Sequence, residues 1–153
     1  MSLDEEVTLL KSVPLFKGIA PGKLKLLAFI SDRVRFSSGE ALMEQGAEGD
    51  AAFVIIDGTA DVVIGGDGDR RVVATLGRND IVGEIAIIAD IPRTATVVAR
   101  NDIEALMISK ANFLKLLREV PEIALEVLRV VGLRLDATLR DMSALRAATK
   151  SGG

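Results

Sequence analysis

The chain has 153 residues, enough to form one domain with a substantial hydrophobic core. It contains no His and no Cys, which excludes thiol chemistry and the common zinc, haem and iron–sulfur ligands, so we expect neither an enzyme, a metal site nor a cofactor. A net charge of −3 and 3% aromatic residues argue against nucleic-acid binding. Because no apolar run is long enough for a membrane span and no secretory signal is visible, we expect a cytoplasmic protein without direct membrane contact.

The N-terminal region, residues 1–32, is predicted to be helical. Residues from Leu3 to Val13 have an amphipathic pattern, and three acidic residues in the first turn suit the positive end of a helix dipole. Pro21 and Gly22 open a second helix, because proline is favoured in the first turn.

From residue 33 to residue 109 the apolar pattern changes to the period of strands. Turn residues, such as the Asp57-Gly58 pair, separate short apolar stretches at regular spacing. The pattern predicts about eight short strands in an antiparallel barrel or jelly roll, interrupted by one short helix from Glu84 to Ala89. The clearest strands are at 33–36, 41–43, 51–57, 60–64, 71–76, 94–100 and 103–109.

The C-terminal region, residues 110–148, is predicted to form a short helix from Ala111 to Val120 and a long helix from Pro121 to about Ala148. Six positions of the long helix recur at alternating steps of three and four, as in a coiled coil. The helix either lies on its own barrel or forms a homodimer seam. The seam positions are Leu128, Val131, Leu135, Thr138, Met142 and Leu145.

The stretch from Val82 to Val97 has the composition of an anion site. Gly83 precedes the short helix, and the backbone amides of Glu84, Ile85 and Ala86 are the free N–H groups of its first turn. Arg93 adds a planar, permanently charged group that suits phosphate.

Glu84 requires a different partner, because a carboxylate repels phosphate. A ribose hydroxyl next to the phosphate is a suitable hydrogen-bond donor, and a 3′,5′-cyclic nucleotide offers a free 2′-hydroxyl beside a singly charged phosphate. Thr94 can donate a hydroxyl hydrogen bond to the phosphate or to the base. The pair of Glu84 and Arg93 therefore favours a cyclic nucleotide as the ligand.

This stretch resembles the phosphate-binding cassette of the cyclic-nucleotide-binding domain family, which includes protein kinase A regulatory subunits, catabolite activator protein and cyclic-nucleotide-gated channels. The resemblance extends over most of the chain, with turn glycines at Gly39, Gly46, Gly49 and Gly58. It implies a single domain over residues 1–153: an N-terminal helical bundle, an eight-stranded jelly-roll barrel with the cassette at 82–96, and C-terminal hinge and lid helices.

The resemblance also implies the roles of individual residues. Glu84 is expected on the 2′-hydroxyl, Arg93 on the phosphate and Thr94 on the phosphate or base, with a lid residue capping the purine. One departure concerns the acid that supports the cassette arginine in kinase-type members, because Ile56 stands at that position and Asp57 follows one residue later. The expected ligand-binding residues are Val73, Val82, Gly83, Glu84, Ile85, Ala86, Arg93, Thr94 and Ala95, with Arg134 and Leu135 as lid candidates.

These expectations describe a sensor of cAMP or cGMP that signals through its helices to an attached or separate effector domain. An alternative is the same fold with a structural or oligomerising role and no nucleotide binding. A cupin-type enzyme would need histidines as metal ligands. No DNA-reading element is expected, because a catabolite-activator-type regulator continues beyond the long helix and this chain ends near residue 150.

Overall fold

The computed structural model describes residues 3–13, 16–66 and 68–152. Within these ranges, five helices and eight strands follow one another in the order expected from the sequence. One of the eight, the short strand just before the cassette glycine, is not among the strands located from the sequence. In chain order they are α1 (Leu3–Lys11), α2 (Pro21–Ile30), β1 (Asp32–Phe36), β2 (Ala41–Met43), β3 (Ala51–Asp57), β4 (Ala60–Ile64), β5 (Arg71–Leu76), β6 (Ile81–Val82), α3 (Glu84–Ala89), β7 (Thr96–Ala99), β8 (Ile103–Ser109), α4 (Lys110–Glu119) and α5 (Pro121–Gly152).

The strands form two antiparallel sheets of four strands each. The strand order is β1-β8-β3-β6 in one sheet and β2-β7-β4-β5 in the other. Among the described residues no strand pairing joins the sheets, so the prediction of a closed barrel is corrected to two sheets. Alternating apolar patterns and regular turns are common to both architectures, which is why the sequence pattern did not separate them.

Strand β3 is apolar along nearly its whole length because both of its faces are covered. Ala52, Val54 and Ile56 belong to the core between the first sheet and the helices. Phe53 and Ile55 belong to the core between the two sheets, where the ring of Phe53 meets that of Phe36 edge to face at 5.7 Å. Each core therefore depends on the alternation of this one strand.

The flanking helices cover the first sheet. Helices α1 and α2 contact each other and contribute Leu10, Leu24 and Leu27 to the core, while α4 contributes Phe113. The structure shows these two N-terminal helices, and a larger N-terminal bundle stays a prediction. No helix in the described ranges is both long enough and apolar enough to cross a membrane.

Helix α5 divides into a packed segment and an exposed segment. Ile123 and Val127 are buried in the core, and Val131 packs partly against it. Beyond Val131, every residue from Gly132 to Leu145 is exposed except Arg134. The long helix therefore lies on the body of the protein only near its start, and most of the predicted seam faces solvent.

Candidate ligand-binding site

The site begins at Gly83, which connects β6 to α3 in a left-handed conformation with φ of 89° and ψ of 3°. A Cβ atom at this position would lie 2.5 Å from Nη1 of Arg93 and 2.9 Å from Cε of Met43. Glycine is therefore required for two reasons, the backbone conformation and the close approach of the arginine.

Arg93 lies across the turn at Gly83, as the sequence predicts, and its side chain is buried. Nη1 donates to the carbonyl of Gly83 at 2.8 Å, and Nη2 donates to the carbonyl of Ala51 at 2.5 Å. Burial lowers the pKa of the Arg93 guanidinium below its ordinary value, and the carboxylates of Asp50 and Glu84 oppose that shift. The guanidinium is thus held at the junction between the cassette turn and the start of β3.

Asp50 supplies the acidic partner for this arginine. Its Oδ1 lies 3.5 Å from Nη2 of Arg93, although the carboxylate itself is exposed. Ile56, which stands where the resemblance places a supporting acid, is buried in the core, and Asp57 is exposed at the end of β3. The signal for this acid in the sequence is the Gly49-Asp50 pair, which lies in the loop directly before β3 and not in the hairpin that follows the strand.

Gly49 fixes the distance between this loop and α3. A Cβ atom at Gly49 would lie 2.7 Å from Cβ of Ala86 and 3.2 Å from its carbonyl carbon. The first turn of α3 therefore packs directly against the loop that carries Asp50. Ala86 is small because this contact, and not only access for a ligand, limits its size.

Glu84 is the most deeply buried charged residue of the site, at 2% exposure. Its Oε1 accepts a hydrogen bond of 3.0 Å from Nη1 of Arg134, whose Nη2 donates to the carbonyl of Ile81 at 3.3 Å. Burial raises the pKa of Glu84 above its ordinary value of 4.5, and a hydrogen bond from its own backbone together with the charges of Arg134 and Arg93 opposes that shift. A buried carboxylate with few donors can accept a hydrogen bond from a ligand.

These residues surround one cavity of about 120 Å³. Its floor combines the cassette turn and the guanidinium of Arg93, and its walls are apolar side chains of both sheets. The cavity brings together nine of the predicted residues: Val82, Gly83, Glu84, Ile85, Ala86, Arg93, Thr94, Ala95 and Arg134.

Comparison with known proteins identifies the family. The model of the cyclic nucleotide-binding domain matches residues 33–120, more than half of the chain. The chain belongs to the cyclic nucleotide-binding domain family. The predicted resemblance to this family is thereby confirmed.

Similar proteins include two kinds of cyclic-nucleotide-dependent kinase chain. A cAMP-dependent protein kinase regulatory subunit of Aspergillus fumigatus is 31% identical over 114 residues, which cover 74% of this chain and 27% of the relative. The cGMP-dependent protein kinase egl-4 of Caenorhabditis briggsae is 29% identical over 117 residues, covering 74% of this chain and 16% of the relative. The chain thus spans about a quarter or less of the length of these relatives.

Solved structures show the same fold. The catabolite activator protein of Thermus thermophilus has a TM-score of 0.77 and 27% identity, with 86% of this chain and 62% of that chain covered. The regulatory subunit of a cAMP-independent protein kinase A from Trypanosoma brucei has a TM-score of 0.76 and 23% identity, with 86% and 47% covered. Members of this fold therefore differ in their dependence on cAMP.

Two predicted site residues do not line the cavity. Val73 is 54% exposed on β5, where the pairing with β4 shifts between Val62 and Val63 so that Val73 is an additional residue in the strand. Val73 is also three residues from Leu76, which lines the cavity, and the period-two alternation of a strand places two such side chains on opposite faces. Leu135 is 58% exposed, because it follows Arg134 on α5 and successive helical residues point about 100° apart.

Five further apolar residues line the cavity, and the sequence did not predict them as site residues. Four of them come from strands that the sequence predicted, with Val62 on β4 and Leu76 on β5 on the inner face, and Ile81 comes from the additional strand β6. Period-two spacing identified such residues as inward-facing, but not which of them border the cavity. The five are Met43, Val62, Leu76, Ile81 and Val97.

Proposed function

We propose that this chain binds a 3′,5′-cyclic nucleotide, cAMP or cGMP, as a regulatory sensor module. The observation that carries this proposal is the meeting of Arg93 and Glu84 in one cavity at the turn around Gly83. A buried permanent cation suits one phosphate, and a buried hydrogen-bond acceptor in the same cavity suits a neighbouring hydroxyl. Family membership supports the same ligand class.

The cavity divides the ligand into a polar part and an apolar part. The guanidinium of Arg93 keeps N–H groups beyond those used by Gly83 and Ala51, and these, with the amides of the cassette turn, would hold the phosphate. Val62, Leu76 and Val97 provide an apolar surface for the base. Thr94 lines the same cavity, and its hydroxyl suits either the phosphate or the base edge.

The proposed role is signalling and not catalysis. The relatives include a cAMP-dependent protein kinase regulatory subunit and a cGMP-dependent protein kinase, which supports a sensor acting on an attached or separate effector domain. We propose a cytoplasmic location, no catalytic activity, no cofactor other than the nucleotide ligand, and no direct contact with nucleic acid or membrane.

Calorimetric titration of the folded chain with cAMP and with cGMP tests the binding proposal. We expect one site per chain with micromolar or tighter affinity for at least one nucleotide, lost in Arg93→Leu and in Glu84→Ala. Arg100→Leu is the matched control, because Arg100 pairs with Asp61 on the exposed face of the second sheet, away from the cavity. No heat with either nucleotide would contradict the proposal and leave the structural role.

We also propose that α5 forms a homodimer seam, in a different register from the one predicted. Val131 packs partly on the core, which removes it from the free face. The exposed apolar positions instead follow steps of three and four, with a glycine that permits close approach of a second helix. They are Leu125, Leu128, Gly132, Leu135, Leu139 and Met142.

Light scattering across a concentration series tests this seam. We expect twice the monomer mass for the natural chain and the monomer mass for Leu139→Lys, because a charge at a central seam position is incompatible with apolar packing. Leu133→Lys is the control, since Leu133 is also exposed but lies outside the stripe. A monomer at all concentrations would refute the seam without affecting the nucleotide proposal.

A further inference from the structure

Helix α2 is apolar on two opposite sides, and the protein covers only one of them. The covered side carries Leu24, Leu27 and Ala28, which belong to the core between the helices and the first sheet. Because successive helical residues point about 100° apart, Leu26 and Phe29 lie on the opposite side, where they are 39% and 78% exposed. The other four phenylalanines, all in the described ranges, are buried or half-buried. A helix that is apolar all round is normally covered all round, so α2 has one apolar side without a partner.

A small groove continues this exposed side toward α4. The groove has a volume of about 30 Å³. Asn112 connects the two helices here, because its Nδ2 donates to the carbonyl of Ile30 at 3.4 Å. A ring as exposed as that of Phe29 next to a concave apolar groove is the kind of surface that receives side chains projecting from a helix. The groove is lined by Leu26, Ile30, Asn112, Lys115, Leu116 and Glu119.

The charge of this region is opposite to that of the whole chain. Residues 7–31 contain four lysines and no acidic residue, although the net charge of the chain is −3. All four lysines are exposed, and within the described ranges none of them forms an ion pair. Two of the four, on α2, lie on either side of the exposed apolar side chains, and α4 adds a third cation across the groove. The basic surface formed in this way consists of Lys23, Lys25, Leu26, Phe29 and Lys115.

We propose that the basic surface is a docking site for an acidic amphipathic helix of a partner protein. Apolar side chains of such a helix cover Phe29 and enter the groove, while its carboxylates meet lysines that have no partner within the chain. Glu119 lies one turn of α4 beyond Lys115, so the carboxylates of the partner are expected beside the lysines of α2. No residue of α2 in the described ranges lines the nucleotide cavity, so docking here does not depend on nucleotide binding.

The same features disfavour two other occupants. A two-fold interface between copies of this chain would place the basic surface against itself and bring lysine against lysine, which opposes association. A lipid bilayer touches only the side chains that protrude from a protein, so it would leave the groove between α2 and α4 unfilled. A helix with acidic and apolar faces satisfies both the charge and the shape of the surface.

The first test measures which charge the surface prefers. Two dye-labelled peptides of about 20 residues carry leucines along one helical face, with glutamates on the other face in one peptide and lysines in its twin. Anisotropy titration should show at least about tenfold tighter binding of the glutamate peptide, and the difference should shrink at high salt. With that peptide, NMR should show amide shifts at Phe29 and Lys115 and none at Val73 on β5.

Matched substitutions assign the binding to this surface. Phe29→Ser should weaken binding of the glutamate peptide at least about tenfold, as expected for a central aromatic anchor. Leu133→Ser on α5 is the control, because Leu133 is 57% exposed and lies outside the basic surface. Lys25→Glu should weaken binding of the glutamate peptide and strengthen that of its lysine twin, since it reverses the charge at the contact. Phe29 and Lys25 are exposed, so the urea midpoint of these variants should be unchanged.

Several results would overturn the proposal. No binding of the glutamate peptide at concentrations up to about 1 mM, or equal binding of the two peptides, would show that the surface does not select an acidic helix. Equal affinity of Phe29→Ser and the natural chain, or shifts confined to other parts of the chain, would show that the peptide binds elsewhere. Co-sedimentation with vesicles of phosphatidylserine and phosphatidylcholine that is lost in Phe29→Ser would assign the surface to a membrane instead.

Discussion

Gly83→Ala is the substitution for which the structure gives the clearest expected cost. The new Cβ would lie 2.5 Å from Nη1 of Arg93 and 3.1 Å from the carbonyl of Ala51, at a residue whose φ is 89°. The guanidinium has to move, which breaks its hydrogen bond to the carbonyl of Gly83. The change therefore affects stability and the phosphate site together.

The expected loss in the free energy of unfolding of Gly83→Ala is the sum of two contributions. A residue with a Cβ in the left-handed region costs about 1–2 kcal/mol. Loss of one hydrogen bond from a charged donor costs about 1.5–3 kcal/mol. Their sum predicts a loss of about 2.5–5 kcal/mol in the free energy of unfolding, a large share of the roughly 5–15 kcal/mol typical of a domain.

Urea unfolding with a matched glycine measures the two contributions separately. Gly39 has a φ of 91° and open space around its Cβ position, so Gly39→Ala should cost only the backbone contribution of about 1–2 kcal/mol. We also expect Gly83→Ala, but not Gly39→Ala, to weaken binding of cAMP and cGMP. Equal losses of stability in the two variants would refute the reasoning that Arg93 closely approaches this turn.

Three further predictions concern other residues of the site. Asp50→Asn should lower stability by less than about 1 kcal/mol because the carboxylate is exposed. It should still weaken nucleotide binding, up to about tenfold, because it releases the orientation of Arg93. Gly49→Ala should cost about 1–3 kcal/mol by overpacking against Ala86, measured by urea unfolding. For Glu84, whose pKa is raised in the fold, the natural chain should lose stability relative to Glu84→Gln as the pH rises from the ordinary value of 4.5 through the folded-state pKa.

The sign of the pH prediction follows from proton binding. In that window the folded chain holds a proton on Glu84 that the unfolded chain has released, so the contribution is fully present below 4.5 and declines as the pH rises. If the natural chain instead gained stability relative to Glu84→Gln as the pH rises through this window, the burial argument would be contradicted.

Gly18→Ala, with open space at its Cβ position, is the control for Gly49→Ala, and equal losses of stability in the two variants would contradict the close contact with α3. Unchanged nucleotide affinity in Asp50→Asn would show that Asp50 does not orient Arg93.

The cassette was predictable from the sequence because its determinants are local. Gly83, Glu84 and Arg93 lie within eleven residues of one another, and their chemistry follows from the residue types. The continuous apolar run of β3 likewise predicted a buried strand without any knowledge of its neighbours.

The parts that were not predictable depend on contacts between distant segments. Asp50 reaches Arg93 across 43 positions of the chain, and although the Gly49-Asp50 pair stands out directly before β3, the sequence does not indicate that it meets Arg93. Strand β5 has apolar residues on both faces, with Val73 on one and Leu76 on the other, so the apolar pattern does not reveal which face borders the cavity. The free face of α5 depends on which of its residues pack on the core, and Val131, a predicted seam position, packs partly against the core.

The closure of the sheets is a fourth property that depends on contacts between distant segments. Whether strands end in one barrel or in two sheets is decided by the pairing of edge strands, here β1 and β6 in one sheet and β2 and β5 in the other. The strand pattern is the same in both cases. The site is unaffected, because it needs only the cassette turn, the start of β3 and the inner faces of the strands.

The most direct test of the central claim is an NMR titration that reports on Arg93 and Gly83 by residue. With cAMP or cGMP we predict saturable shifts in the side-chain Nε–H of Arg93 and in the backbone amides of Gly83, Ala86 and Thr94, and none in Gly18 far from the cavity. Absence of shifts at Arg93 and Gly83 with saturating amounts of both nucleotides, or shifts confined to other parts of the chain, would contradict the assignment of this cavity as the nucleotide site.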